Sequence, residues 1–155
     1  MQFEFFESTK QKSFGGDLLQ GKRKTARPLS TKLPVHLVFR ARQTSLRAKQ
    51  SEIQGLLNRF ARKFGVKIYE FAICTNHIHL LVRIHSRSLY RQFARAFTGS
   101  VSRKFKIQWL VRPFTRLLSW GRDFKTARNY VMQNEKEASG EIRYQPRGKS
   151  RKPAD

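Results

Sequence analysis

The chain predicts an α+β domain in which helices cross an antiparallel sheet, and three observations carry that prediction. Four short runs rich in Val, Ile, Leu and Phe alternate with longer stretches whose apolar residues recur at helical spacing. Gly65, Pro113 and Gly121 fall at boundaries between these runs. With 155 residues, 39% of them hydrophobic, the chain can close one core without disulfides or a structural metal.

The first strand is predicted over 33–40 (LPVHLVFR). It holds His36, and a lone histidine on a strand is more often a packed or surface residue than a ligand, so His36 is expected outside any site. Over 45–64, Leu46, Ile53, Leu56, Leu57, Phe60 and Phe64 keep helical spacing while Arg47, Lys49, Arg59, Arg62 and Lys63 fill the other positions. Gly65 stops this helix, and 66–73 (VKIYEFAI) reads as a second strand. Cys74-Thr75-Asn76 then turns the chain into a third strand, 77–84, forming an antiparallel hairpin. A second amphipathic helix spans 88–105, with Leu89, Phe93, Ala96, Phe97 and Val101 on one side and Arg91, Arg95, Arg103 and Lys104 between. Pro113 argues against a helix in the ambiguous stretch 109–120, so a fourth strand is expected at 114–119. A last helix, 121–138, carries Phe124, Ala127, Val131 and Ala138. This order is the split βαβ arrangement of a ferredoxin-like fold: a four-stranded antiparallel sheet with two crossover helices on one face, plus a C-terminal helix. The domain is expected over 32–139, between a basic N-terminal arm, 1–31, and a basic C-terminal tail, 140–155.

The net charge of +23 calls for a polyanion, and nucleic acid is the leading partner because Lys and Arg release condensed counterions from phosphates. The expected phosphate contacts are Lys22, Arg23, Lys24 and Arg27 in the arm, Arg91 and Arg95 on the second helix, and Arg147, Lys149, Arg151 and Lys152 in the tail. A membrane partner is disfavoured, since no run of 18 apolar residues occurs and both amphipathic helices need their apolar faces for the core. The first residues do not form an export signal, and the lone Cys74 cannot make an internal disulfide or a zinc ribbon. A cytoplasmic, nucleoid-associated protein is expected.

The stretch Thr75-Asn76-His77-Ile78-His79-Leu80-Leu81-Val82 carries the chemistry. Strand side chains repeat every two residues, so His77 and His79 share one face while Ile78, Leu80, Val82 and Ile84 point to the core. Two neighbouring neutral imidazoles begin a divalent-metal site. On the last helix Tyr130 and Asn134 are four apart and share a face. Packed beside the open sheet face, Asn134 would offer an amide oxygen as third ligand and Tyr130 a phenol as nucleophile, with the metal polarising a phosphate oxygen. Attack on a phosphodiester gives a phosphotyrosine that conserves the bond for rejoining. A phenol is mostly protonated at neutral pH, so positive charge must favour the phenoxide or a base must take its proton. Taken singly, the histidines read as core residues, Tyr130 as packing and Asn134 as a helix-end residue; the conjunction makes the argument.

These residues resemble the single-tyrosine HUH transposases, close to the REP-associated tyrosine transposases. That family has a turn of the type x-N-H-x-H-L-L-V, here Thr75 to Val82, whose His-hydrophobic-His triplet binds a divalent metal. Its nucleophile lies on a later helix in a Tyr-x-x-x-Asn or Tyr-x-x-x-Gln pattern, here Tyr130-Val131-Met132-Gln133-Asn134. The resemblance runs from Leu33 to Ala138. It implies single-stranded DNA folded into hairpins as substrate, a 5′-phosphotyrosine intermediate with a free 3′-hydroxyl, and a metal held by His77, His79 and Asn134. Mg²⁺ or Mn²⁺ is the expected ion, and Mn²⁺ tolerates imidazole better. The chain departs from the family at Thr75, where proline is usual, at Asn134-Glu135-Lys136, which replaces an Asn-Pro-Val-like segment, and at Pro113, where glycine is frequent.

A competing reading is a non-catalytic module that stacks single-stranded bases on Tyr69 and Phe71. A transferase built on three carboxylates is disfavoured, because the ten carboxylates form no evident trio and only Glu70 is placed to assist a metal. The sequence leaves monomer and homodimer both open, and with them whether the tyrosine serves its own chain or a partner.

Overall fold

Alternation of apolar residues along two central strands organises the sheet. The structure is a computed structural model that describes residues 13–19 and 26–146. Lys22, Arg23, Lys24, Arg147, Lys149, Arg151 and Lys152 therefore lie outside the described residues. In chain order the elements are β1 (Ser13–Phe14), β2 (Val35–Arg40), α1 (Gln50–Lys63), β3 (Lys67–Ile73), β4 (His77–Arg83), α2 (Arg87–Phe105), β5 (Phe114–Leu117) and α3 (Arg122–Ser139).

The strands lie in the order β1-β5-β2-β4-β3, every neighbouring pair antiparallel. Without β1 this is the split βαβ order expected from the sequence. The sheet nevertheless has five strands rather than four. Ser13 and Phe14, from the segment read as an arm, pair with Arg116 and Thr115 and cover the outer edge of β5. Two residues are too short to show an alternation, so only the tertiary pairing reveals them. Arg27 ties the following segment to the same edge, its Nη1 donating to the Pro113 carbonyl at 2.7 Å and to Thr115 Oγ1 at 2.9 Å.

On one face Val35, Leu37 and Phe39 of β2 and Ile78, Leu80 and Val82 of β4 form the main core with α1 and α2. Burying each such side chain contributes about 1.5–3 kcal/mol. A slip of one residue would turn all of them to the other face, so burial holds the β2–β4 register. Helix α1 contributes Ile53, Leu57 and Ala61 and gives way to Gly65, whose φ of 66° is in the left-handed region. Helix α2 begins at Ser86, whose side chain accepts from the Leu89 amide, and buries Tyr90, Phe93, Phe97 and Val101.

Helix α3 covers part of the opposite face. Its Val131 packs against Ala72 and Cys74. A register shift between Ile68 and Glu70 leaves Tyr69 as the extra residue of a bulge, and its ring meets Phe124 at 5.3 Å and Trp120 at 5.7 Å. Tyr69 thus docks α3, and Phe71 packs against the main core, so the aromatic platform of the competing reading is used for packing. Polar contacts complete the docking. Glu135 accepts from Arg47 at 2.7 Å and from the Ile73 amide at 3.2 Å, and Arg128 lies 3.6 Å from Glu70. Among the described residues no helix is long and apolar enough to cross a membrane.

Candidate functional site

The site grows from the β3–β4 turn. The Cys74 amide donates to the His77 carbonyl at 2.9 Å, which closes the turn and sets the register of β4. Parity then puts half-buried His77 and buried His79 on the face away from the main core, with ring centroids 4.7 Å apart. Asn76 orients the first of them. Its Oδ1 lies 2.8 Å from His77 Nδ1, and because an amide oxygen only accepts, the neutral form of the ring that suits this contact has its proton on Nδ1 and its lone pair on Nε2.

His36, expected outside the site, belongs to it. In the β2–β4 register His79 faces Val38, and His36 lies two residues further along on the same face. Its Nε2 approaches His79 Nδ1 to 3.0 Å and the rings stack at 5.2 Å. Burial, with a smaller contribution from the nearby Arg116 guanidinium, lowers the His36 pKa to about 4, so the imidazole is neutral at physiological pH. The signal was available in the sequence: His36 alternates with apolar Val35, Leu37 and Phe39, and a split βαβ order makes its strand the neighbour of the one holding His79.

Cys74 is a second residue that sequence reasoning did not place. Its Sγ and one ring nitrogen each of His77 and His79 all lie within 4.8 Å of one another. The residues present therefore fit a divalent cation, with two imidazoles and a thiol as donors. Only the closed turn brings the sulfur back toward the imidazoles.

Tyr130 and Asn134 reach the same face on α3. The Tyr130 ring stands edge-on to His79 at 5.5 Å and 90°, and to His36 at 6.0 Å and 70°. Its residue exposure of 36% keeps it accessible to a large substrate. Asn134, one turn later, is buried, and its Nδ2 donates to the Tyr130 carbonyl at 2.8 Å, which leaves Oδ1 as the atom able to accept or ligate.

Beside Tyr130 a cleft of about 430 Å³ is lined by His36, Phe114, Arg116, Arg122 and Thr126 among others, and by Asp123, whose carboxylate accepts from Ser119. Thr115 pairs with core-facing Leu37, so Phe114 and Arg116 on either side of it turn to the Tyr130 face. Two guanidinium groups and an aromatic ring around a space of this size suit a phosphate-bearing group with a planar base. Arg91 and Arg95 are exposed on α2, which packs on the other side of the sheet, so the fold does not bring them together with Tyr130.

The family model described as IS200-like transposase matches residues 29–138. The solved structure of a REP-associated tyrosine transposase bound to a REP hairpin superposes with a TM-score of 0.59 at 15% identity, covering 72% of each chain. A crystal structure assigned as a transposase, from Deinococcus radiodurans R1, gives a TM-score of 0.46 at 16% identity over 73% of this chain and 98% of that one. No curated protein matches the chain. The first structural likeness supports the fold, and the family match spans the strands and helices that carry His36, His77, His79, Tyr130 and Asn134. The chain belongs to the IS200-like transposase family.

Proposed function

We propose that the chain is a metal-dependent single-stranded DNA endonuclease and strand transferase that cuts hairpin-flanked DNA through a covalent 5′-phosphotyrosine. The observation that carries this reading is the Tyr130 ring set edge-on against His79, on the sheet face that also gathers His77 and Cys74. A divalent metal, when bound, would polarise a non-bridging oxygen of the scissile phosphate and offset the charge that develops there.

The chain's own residues do the rest. Tyr130 Oη gives up its proton to solvent and attacks phosphorus while the bond to the 3′-oxygen breaks, and that oxygen takes a proton from solvent and leaves as a 3′-hydroxyl. The phosphate stays on the tyrosine, so attack by another 3′-hydroxyl rejoins the strand and releases the phenol. Arg116 and Arg122 in the adjoining cleft hold flanking phosphates, and Phe114 offers a face to a neighbouring base. The solved relative bound to a REP hairpin supports a DNA hairpin as the recognised form.

Histidine tautomers matter to the metal. His79 can ligate through Nε2 only if its Nδ1 donates to His36 Nε2, so neutral His36 acts as the acceptor that orients it. Asn76 does the same for His77. In this reading His77 and His79 would hold the metal with the Asn134 oxygen as third ligand, and Cys74, which clusters with the two imidazoles, would add a soft donor that favours a thiophilic ion such as Zn²⁺ over Mg²⁺, with Mn²⁺ intermediate. The docking of α3 by Glu135, Tyr69 and Val131 favours a tyrosine acting on its own chain's site.

The test is incubation of end-labelled hairpin DNA carrying single-stranded flanks with wild-type protein and Tyr130→Phe, across Mg²⁺, Mn²⁺ and Zn²⁺. Wild type should form a covalent adduct resistant to denaturant, and the variant none. Equal adduct from both, or none from either with all three metals, overturns the assignment.

A further inference from the structure

We infer that the arginine-lined pocket between the start of α2 and the β1–β5 edge is a second nucleic-acid contact, which holds a backbone phosphate of bound DNA away from Tyr130. The pocket, of about 400 Å³, is lined by Arg27, Arg87, Arg91 and Arg112 together with Phe14 and Tyr90. These cations come from three separate parts of the chain: the segment before β2, the first turns of α2 and the loop before β5. The proposal rests on the reading of the chain as a DNA-acting enzyme.

The pocket is built around Arg27. Its Nη1 donates to the Pro113 carbonyl and to Thr115 Oγ1, its guanidinium lies over the Phe14 ring at 4.5 Å, and its carbonyl accepts from Arg87 Nη1 at 2.7 Å. Arg87, Arg91 and Arg112 are exposed at the rim. Among the described residues no carboxylate forms an ion pair with any of the four. Burial chiefly lowers the pKa of Arg27; Tyr90 opposes the shift, and repulsion from Arg112 and Arg87 adds smaller contributions to it. Gathering like charges without an acid is unfavourable in the empty protein, and an anion relieves it. A phosphate is the group that guanidinium forks match in charge and geometry.

The position argues for a polymer. Strand β5 turns Phe114 and Arg116 toward Tyr130, whereas Thr115, held by Arg27, points to the other face. One short strand thus separates two cationic clefts, and a nucleic acid passing over the β1–β5 edge would meet both. A free phosphate would need only the second.

The experiment uses the full chain with Tyr130→Phe, so that no covalent step intervenes, and measures binding of a fluorescent DNA hairpin with flanks by anisotropy at several salt concentrations. Arg91→Gln with Arg112→Gln should weaken binding at least tenfold and reduce the log–log salt slope by about one, the value for one lost phosphate. Arg59→Gln with Arg62→Gln, which removes the same charge from exposed positions on α1, should change affinity less than threefold. Equal weakening by both pairs, or by neither, overturns the proposal. Stabilisation of the parent against heat by inorganic phosphate that disappears in Arg91→Gln with Arg112→Gln, with hairpin affinity unchanged, would assign the pocket to free phosphate and overturn it too. Failure of the parent itself to bind hairpin DNA would instead refute the DNA-acting reading.

Discussion

His36 Nε2 lies 3.0 Å from His79 Nδ1, a contact that ties a residue of β2 to a proposed metal ligand of β4. Only one direction of this hydrogen bond leaves His79 Nε2 able to ligate, and His36 must then accept. Replacing His36 by Ala should weaken Zn²⁺ or Mn²⁺ binding about 10–100-fold, as loss of such orienting partners does. His36→Gln, which keeps an acceptor, should recover most of it. Calorimetric titration with metal checks both, and wild-type affinity in His36→Ala would remove His36 from the site's support.

Asn76 makes the parallel contact to His77 at 2.8 Å. Asn76→Asp retains an acceptor oxygen and should bind metal nearly as wild type, whereas Asn76→Ala should lose about 10-fold or more. Identical losses in the two variants would point to a turn-forming role for Asn76 instead.

Cys74 Sγ shares the space between the two imidazoles. Co²⁺ bound through a thiolate gives an intense near-ultraviolet charge-transfer band, so Co²⁺-loaded protein should show it and Cys74→Ser should not. A wild-type spectrum without that band would leave the metal to His77, His79 and Asn134 and return the preference to Mg²⁺ or Mn²⁺.

Glu135 joins α3 to the sheet through half-buried Arg47 and the Ile73 amide. Glu135→Ala leaves the Ile73 amide without this acceptor and Arg47 with only its bond to the Ile73 carbonyl, so unfolding in urea should show a loss of about 1–3 kcal/mol. A double-mutant cycle with Arg47→Ala should give a coupling above about 0.5 kcal/mol. Adduct yield should fall as well, because α3 carries Tyr130; unchanged yield with lowered stability would show that the tyrosine is positioned by other contacts.

Gly65 closes α1 at φ 66°, and a Cβ there would sit 2.8 Å from His85 Cδ2. Gly65→Ala should cost about 1–2 kcal/mol from backbone strain plus the displaced ring. A melting temperature equal to wild type would show that the turn relaxes without cost.

Much of the fold was legible because it follows from periodicity. The alternation of Val35, Leu37 and Phe39 and of Ile78, Leu80 and Val82 was enough to define two strands and the face each buries. Helical spacing located α2 and α3 to within a few residues and the end of α1 as closely; α1 begins later than expected, after a separate 3-10 segment at Arg47–Lys49. The two residues of β1 and the bulge at Tyr69 escaped, because neither leaves a period in the sequence.

For the site, the sequence by itself determined the motif residues: His77 and His79 share a face by strand parity, and Tyr130 and Asn134 share one by helical spacing. Tertiary structure decided what surrounds them. Sheet register brings His36 from 43 positions away to His79 Nδ1, and the closed hairpin turn returns Cys74 to the imidazoles. The docking of α3 then sets Tyr130 beside them. Such contacts depend on which strands are neighbours and on how a helix is fastened, and no local pattern of residues encodes either.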